Sequence, residues 1–248
     1  MVGNKTGVDW TERMSRYSRR RVRRPDLAEL SGFIFKSRSP SCGMERVKLY
    51  VKPGTVEKKA VGVFALTLME HNPNIPIEDE GRLADPSLRE NFIVRVFAYH
   101  RLQQLLRNRF SRGEMVTFHT VHKYLLLAHS PNHYQQLGRL VADIKSTPAA
   151  EFKTQYLALF MDALKCKSTA KKNTNVLQHI LGFLRPHLSV EERQDIVSAI
   201  EDYHRGLTPL IVPITLISHF VRKHDIEYIR DQAYLNPHPK ELMLRNHV

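Results

Sequence analysis

A chain of 248 residues has room for one large domain or two modest ones, and 42% apolar residues suffice for buried cores. No run approaches the roughly 20 apolar residues that a membrane span needs, and two cysteines cannot form a disulfide framework, so a reducing, cytoplasmic setting with no membrane partner is expected. The 38 Lys and Arg against 25 Asp and Glu, a net +13, predict attraction to polyanions.

That charge is regional. Residues 91–190 carry 14 Lys and Arg against four acids, a net +10, whereas residues 191–248 carry seven against nine, a net −2. A concentrated excess suggests a docking face rather than a uniformly solvated surface. The opening MVGNKTGVDWTERM has neither the apolar centre of a secretory signal nor the acid-free makeup of a transit peptide.

In chain order, residues 9–24 read as a helix with Asp9 as N-cap, a basic second half (Arg16, Arg19, Arg20, Arg21, Arg23, Arg24) and Pro25 as its end. The arginine run is either a solvated helix face or an arm for an RNA backbone. LSGFIFK follows as a buried strand and VKLYV (47–51) as a second, with PGT as a turn and 56–70 as a helix. Two strands do not make a stable open sheet, so another segment or another chain is expected to complete it. Residues 71–88, with three prolines and clustered acids, read as a linker.

Helical periodicity begins at 89–110, where Phe92, Val96, Tyr99, Leu102 and Leu106 recur at three- and four-residue spacing. Ser189 and Glu192 form a capping box before a helix over 190–204, which Gly206 stops. Thr208-Pro209 has the form of a helix start, but Pro213 moves the regular helix to 213–224. The expected fold class is α+β: a partial α/β domain over 1–83 and an all-helical domain over 84–248.

Chemistry concentrates in three places. In SPSCG (39–43), a thiol sits on a tight turn after a strand, where α/β sheets place their sites; Pro40 and Gly43 shape a backbone whose amides can converge on an anion, with Ser39 and Ser41 adding hydroxyls. Cys42 is open to three readings: a buried turn thiol, a nucleophile with no histidine near it in sequence, or a metal or cluster ligand. The second place is the acid-free interval between Glu114 and Asp143, holding His119, His122, Lys123, His129, His133 and Arg139. His119 and His122 share a helix face, as packed histidines, as zinc ligands lacking a third partner, or as part of a nucleotide surface to which Tyr124 and Tyr134 add stacking. A second acid-free interval, 163–190, holds Lys165, Lys167, Lys171 and Lys172; its KSTAKKNTN before a helix is either a solvated loop or a phosphate site.

LSGFIFKSRSPSCGMERVKLY, VGVFA (61–65) and IPIEDEGRL (75–83) resemble the C-terminal part of the thiouracil desulfidase family. NFIVRVFAYHRL, HTVHKYLLLAHS, NTNVLQHILGFL, GLTPLIVPITLISHFVR and YLNPHPKELMLRN resemble the YbgA-type helical domain fused to it. The resemblance implies desulfurisation of 4-thiouridine in transfer RNA on a three-cysteine [4Fe-4S] cluster. It makes Cys42 the last of the three ligands and its metal contact, Ser41 and Gly43 its cluster-binding neighbours, and Ser39 the catalytic serine near the substrate. RNA binding by the helical domain is expected from its acid-free intervals, through His119, His122, Lys123, Arg139, Lys165, Lys167, Lys171 and Lys172. Where the family pattern has histidine, this chain has Asn173. The family's first two cysteines precede this region, so the expectation is a truncated or split relative, inactive alone: either its start is assigned late, the gene is split or decayed, or another chain supplies the missing half. The alternatives are a non-enzymatic interaction protein and a metal-dependent enzyme built on the 119–133 histidines.

Overall fold

The computed structural model describes residues 1–3, 6–52, 55–107 and 110–248 and divides into two compact units, Met1–Phe92 and Ile93–Val248. The architecture is α+β: all four strands of the described residues lie before Glu80, and everything beyond is helical or irregular.

In the first unit, α1 (Thr11–Val22) starts where Asp9 Oδ1 accepts from the Thr11 amide at 2.8 Å, so the expected capping aspartate acts two residues ahead of the helix. Pro25 opens a further short helix, α2 (Pro25–Ala28), instead of ending the first, because proline is well suited to a helix's first position. β1 (Phe33–Phe35) pairs in parallel with β4 (Ile77–Asp79), Phe33 opposite Ile77. The strand is shorter and wetter than LSGFIFK suggests, since Ile34 points to solvent and only Phe35 is buried. β2 (Val47–Lys52) forms an antiparallel hairpin with β3 (Thr55–Ala60), and α3 (Val63–His71) follows. The PGT turn includes Pro53 and Gly54, which lie outside the described residues.

Two expectations are corrected here. Residues 55–60 are a strand, not the start of a helix: TVEKKA has no strong strand signal, but β2 offers it a complete ladder. The proline-rich 71–88 stretch is not simply a linker, because Ile77–Asp79 inserts beside β1 with Glu78 and Asp79 buried. The core of the unit is Val22, Leu27, Phe35, Phe64, Ala65 and Leu68, with Met14, Phe33 and Cys42 packed around it.

The second unit takes in the later part of α4 (Pro86–Arg107), then α5 (Arg112–His129), α6 (Pro131–Ala142), α7 (Ala149–Lys165), α8 (Ala170–Leu184), α9 (Val190–His204), α10 (Ile211–Lys223) and a short α11 (Glu227–Arg230). α5 packs on α6, α7 and α8, and α8 on α9 and α10. Phe152, Tyr156 and Phe160, four residues apart along α7, are fully buried and stack in series at 5.6 and 5.8 Å.

Side-chain caps punctuate the bundle. Ser111, Ser130 and Thr169 each accept from the amide three residues on, and Ser189 with Glu192 makes the expected reciprocal box. Gly206 follows α9 at φ 74°, the left-handed geometry that stops a helix. Thr208-Pro209 does not start α10. That helix begins at Ile211 and contains Pro213 as its third residue, where no helical acceptor awaits the missing N–H.

Replacing Ser189 with alanine removes the hydroxyl that accepts from the Glu192 amide and leaves the backbone half of the box in place; urea unfolding should show a loss of about 1 kcal/mol with an unchanged denaturant slope.

Candidate functional site

The Cys42 turn is built onto the start of α3. A helix leaves its first four amides without internal acceptors, and here all four are taken by the turn. Gly62 N donates to Gly43 O at 2.7 Å, Val63 N to Pro40 O at 3.3 Å, and Phe64 N and Ala65 N to Ser41 O at 2.8 and 3.2 Å. Such proximity leaves no room at residue 62: a Cβ there would lie 2.5 Å from both C and O of Ser41. Gly43 is similarly confined, a Cβ meeting Ser39 O at 2.8 Å.

Within the turn, Cys42 N donates to Ser39 Oγ at 3.2 Å and Gly43 N to Ser39 O at 2.8 Å; Ser39 and Ser41 hydroxyls lie 3.1 Å apart, and Ser41 Oγ is 3.3 Å from Cys42 Sγ. The expected cradle of amides converging on an anion is therefore not formed. The amides of Cys42 and Gly43 bond to Ser39, and those of α3 bond to the turn's own carbonyls. Arg38 (φ 55°) and Arg46 (φ 56°) flank the turn in the left-handed region that non-glycine residues avoid, at a cost of about 1–2 kcal/mol each. Between them a hollow of about 270 Å³ is bounded by Arg38, Arg46 and Arg82 and by Glu45 and Asp79.

The sequence brings Ser39, Ser41, Cys42 and Gly43 together as expected, but not as a cluster site. The chain has two cysteines in all, and among the described residues no three His, Cys, Asp or Glu converge. A cluster of the kind implied needs three thiolates or more. The residues present do not fit it by themselves.

The first acid-free interval folds inward. His122 is 2% exposed; its Nδ1–H donates to Phe118 O at 2.8 Å, its ring stacks on Phe118 at 3.9 Å, and its Nε2 has no hydrogen-bond partner. Burial pushes its pKa down to about 3, and burial alone lowers that of His119 to about 4. His119 lies parallel to Tyr134 and 3.2 Å from the Tyr156 hydroxyl. His129 donates to Cys166 O at 2.7 Å, and His133 bonds Ser130 Oγ at 2.7 Å. These histidines are packing elements, which overturns a phosphate contact for His122.

Lys123 is half-buried in an aromatic cage, its ammonium bonded to Tyr228 OH and held 4.4 Å from the Tyr124 ring and 4.5 Å from that of Tyr228. Burial works against its charge, yet the bond to Tyr228 and the neighbouring tyrosines outweigh it and raise its pKa. Its charge is thus satisfied internally, contrary to a role on RNA. Lys172 donates to His129 O at 2.7 Å and Lys167 O at 3.2 Å, clasping the α7–α8 loop to α5. Arg139, Lys165, Lys167 and Lys171 are exposed, Lys165 paired with Asp162 at 2.8 Å.

KSTAKKNTN lies mostly inside α8, so its Asn173 is a core residue: 5% exposed, donating to Tyr203 OH at 3.0 Å and accepting from Tyr234 OH at 3.1 Å. Sequence reading missed this buried network, whose two tyrosines come from distant stretches.

A family model described as 2-thiouracil desulfurase matches residues 1–80, and one described as a protein of unknown function, DUF1722, matches residues 123–239. An uncharacterized protein, YbgA of Escherichia coli (strain K12), is 32% identical over 158 residues, covering 63% of this chain and 94% of that protein. The chain belongs to the YbgA family. Its family-matched helical segment is fused to a segment similar to the desulfurases, which makes the chain a desulfidase relative. The desulfurase match takes in α1 and α2 as well as the Cys42 turn. No solved structure matches. Among the described residues, no helix is long and apolar enough to cross a membrane.

Three tests follow from this geometry. Gly62→Ala forces the turn off α3 and should cost about 1–3 kcal/mol by overpacking; Cys42 should then react faster with a thiol reagent. Gly138→Ala, in open space on α6, should instead stabilise by up to about 1 kcal/mol. The folded pKa values of His119 and His122 lie below the ordinary 6.5, so the unfolded chain binds more protons between those values; stability is complete above about pH 6.5 and is lost as pH falls toward 4 and then 3. Ring proton shifts of both residues should stay constant from about pH 8 to about pH 5.

Proposed function

We propose that this chain is part of a cytoplasmic RNA sulfur-removal system, a desulfidase relative whose helical unit holds transfer RNA carrying 4-thiouridine. The observation that carries the reading is one chain joining a desulfurase-like segment to a YbgA-family helical unit with an unbalanced basic stretch. Residues 163–190 contain no carboxylate, and Lys167 and Lys171 stand exposed beside the start of α8. With Arg139 and Lys165 they form the reduced set of RNA contacts, after removal of His119 and His122, which pack inside the unit, and of Lys123 and Lys172, whose ammonium groups are bonded there.

In this proposal residues 1–83 correspond to the later part of a desulfidase domain. Cys42 contributes one thiolate to a [4Fe-4S] cluster, and a second polypeptide contributes the others. Ser39 and Ser41 set the rim of that site. By itself this chain binds RNA without desulfurising it.

One observation favours a second reading, a non-enzymatic interaction protein. The β2–β3 hairpin shows Leu49, Tyr50, Val51 and Val56 to solvent, Tyr50 at 63% exposure.

A filter-binding titration of transfer RNA separates the two. The RNA reading expects affinity to fall steeply from about 50 to about 200 mM salt, and Lys167→Gln with Lys171→Gln to reduce the slope of log K against log salt by about 2. A flat profile supports the interaction reading. Purified chain should contain no stoichiometric iron or acid-labile sulfide, and a stable cluster on the chain alone overturns the shared-site proposal.

A further inference from the structure

The segment after α11 returns across α10 and is held at several points. Arg101 of α4 donates to Pro237 O, Arg245 Nη1 donates to Tyr234 O at 2.7 Å, and Leu210 N donates to Val248 O at 2.7 Å. Between this segment and α10 lies a hollow of about 250 Å³. α10 presents Ser218 and Arg222 to it, four residues apart on one helix face, and the returning segment presents Lys240, Arg245 and Asn246.

The charge in this hollow is one-sided. Three cations line it, and among the described lining residues there is no carboxylate. Two cations nearby are paired with carboxylates instead: Lys223 meets Glu192 at 2.7 Å, and Arg230 meets Asp225 at 2.6 Å. Arg222 and Lys240 take part in no ion pair described for the protein. Like charges around a concave, partly dry surface repel unless an anion joins them. Arg245 is only 5% exposed, so its charge is felt in a low-dielectric wall rather than in bulk water.

The backbone adds an independent sign. Met243, which also lines the hollow, sits at φ 52° with its side chain 61% exposed, so burial of the side chain does not compensate the strained conformation. Left-handed non-glycine residues concentrate where a loop is shaped for binding. Lys240 and Arg245, on either side of Met243 in sequence, both line the hollow.

We propose that this hollow is a phosphate-binding site. Guanidinium, ammonium, hydroxyl and amide donors are the set that recognises a tetrahedral oxyanion. Its volume is below the range of about 300–1,000 Å³ for whole small-molecule ligands, which suits a phosphate group with little attached to it inside the pocket. The site shares no residue with the RNA contacts proposed above and does not depend on them. The phosphate's carrier is either a small phosphate ester or an RNA backbone.

The test uses the full chain and inorganic phosphate, read by the phosphorus resonance line width at constant ionic strength. Wild type should broaden the line saturably. Arg222→Gln with Lys240→Gln should weaken apparent affinity at least about tenfold while keeping the wild-type unfolding midpoint, because both side chains are exposed. Arg193→Gln with Arg205→Gln, exposed cations on α9 and at its C-terminal end with the same charge change, should broaden like wild type. Equal loss in both double variants, or no broadening by wild type, overturns the site. Adding transfer RNA identifies the carrier: release of phosphate assigns an RNA backbone, and an unchanged line assigns a small phosphate ester.

Discussion

Four backbone amides at the start of α3 determine the shape of the Cys42 region. They need acceptors, and the carbonyls of Pro40, Ser41 and Gly43 are the ones within reach. That requirement brings the turn against the helix, forces residue 62 to be glycine, and fixes the thiol beside Ser39 and Ser41. The same bonds explain why the turn is not an anion cradle: its amides already have partners. Whatever Cys42 does, it does from a rigid loop whose position is set by helix capping, with a thiol packed against the apolar core.

The helical unit shows how misleading a formal charge can be. Lys123 and Lys172 count toward the basic excess, yet one is caged by tyrosines and the other bonds two carbonyls as a clasp. His119 and His122 are kept neutral by burial, and Asn173 joins two tyrosines in the centre of the bundle. A protein interior tolerates such groups because each is bonded, and the resulting directional contacts select one packing arrangement among many. Of the cations in the two acid-free stretches, Arg139 on α6 and Lys165, Lys167 and Lys171 around the start of α8 stay exposed.

Much of this was legible in the chain. Three- and four-residue apolar spacing located α4, and the Ser189 box and Gly206 marked the ends of α9, because caps and left-handed stops depend on local chemistry. The Cys42 turn was legible as a turn from Pro40 and Gly43. β3 and β4 were not. TVEKKA becomes a strand only because VKLYV is its neighbour, and Ile77–Asp79 pairs with a segment more than 40 residues away in sequence. The inward fate of His119, His122 and Lys123 depends on rings supplied by α7 and by the segment after α10, and single-sequence spacing carries no record of those partners.

The β2–β3 hairpin has a practical consequence at the bench. Environment-sensitive dyes such as ANS are widely used to detect loosened packing, on the premise that a well-folded chain hides its greasy surface. Here Leu49, Tyr50, Val51 and Val56 are displayed by the intact fold. Fluorescence from such a dye would register the native hairpin, and a screen for misfolded preparations of this protein needs a readout of side-chain order instead.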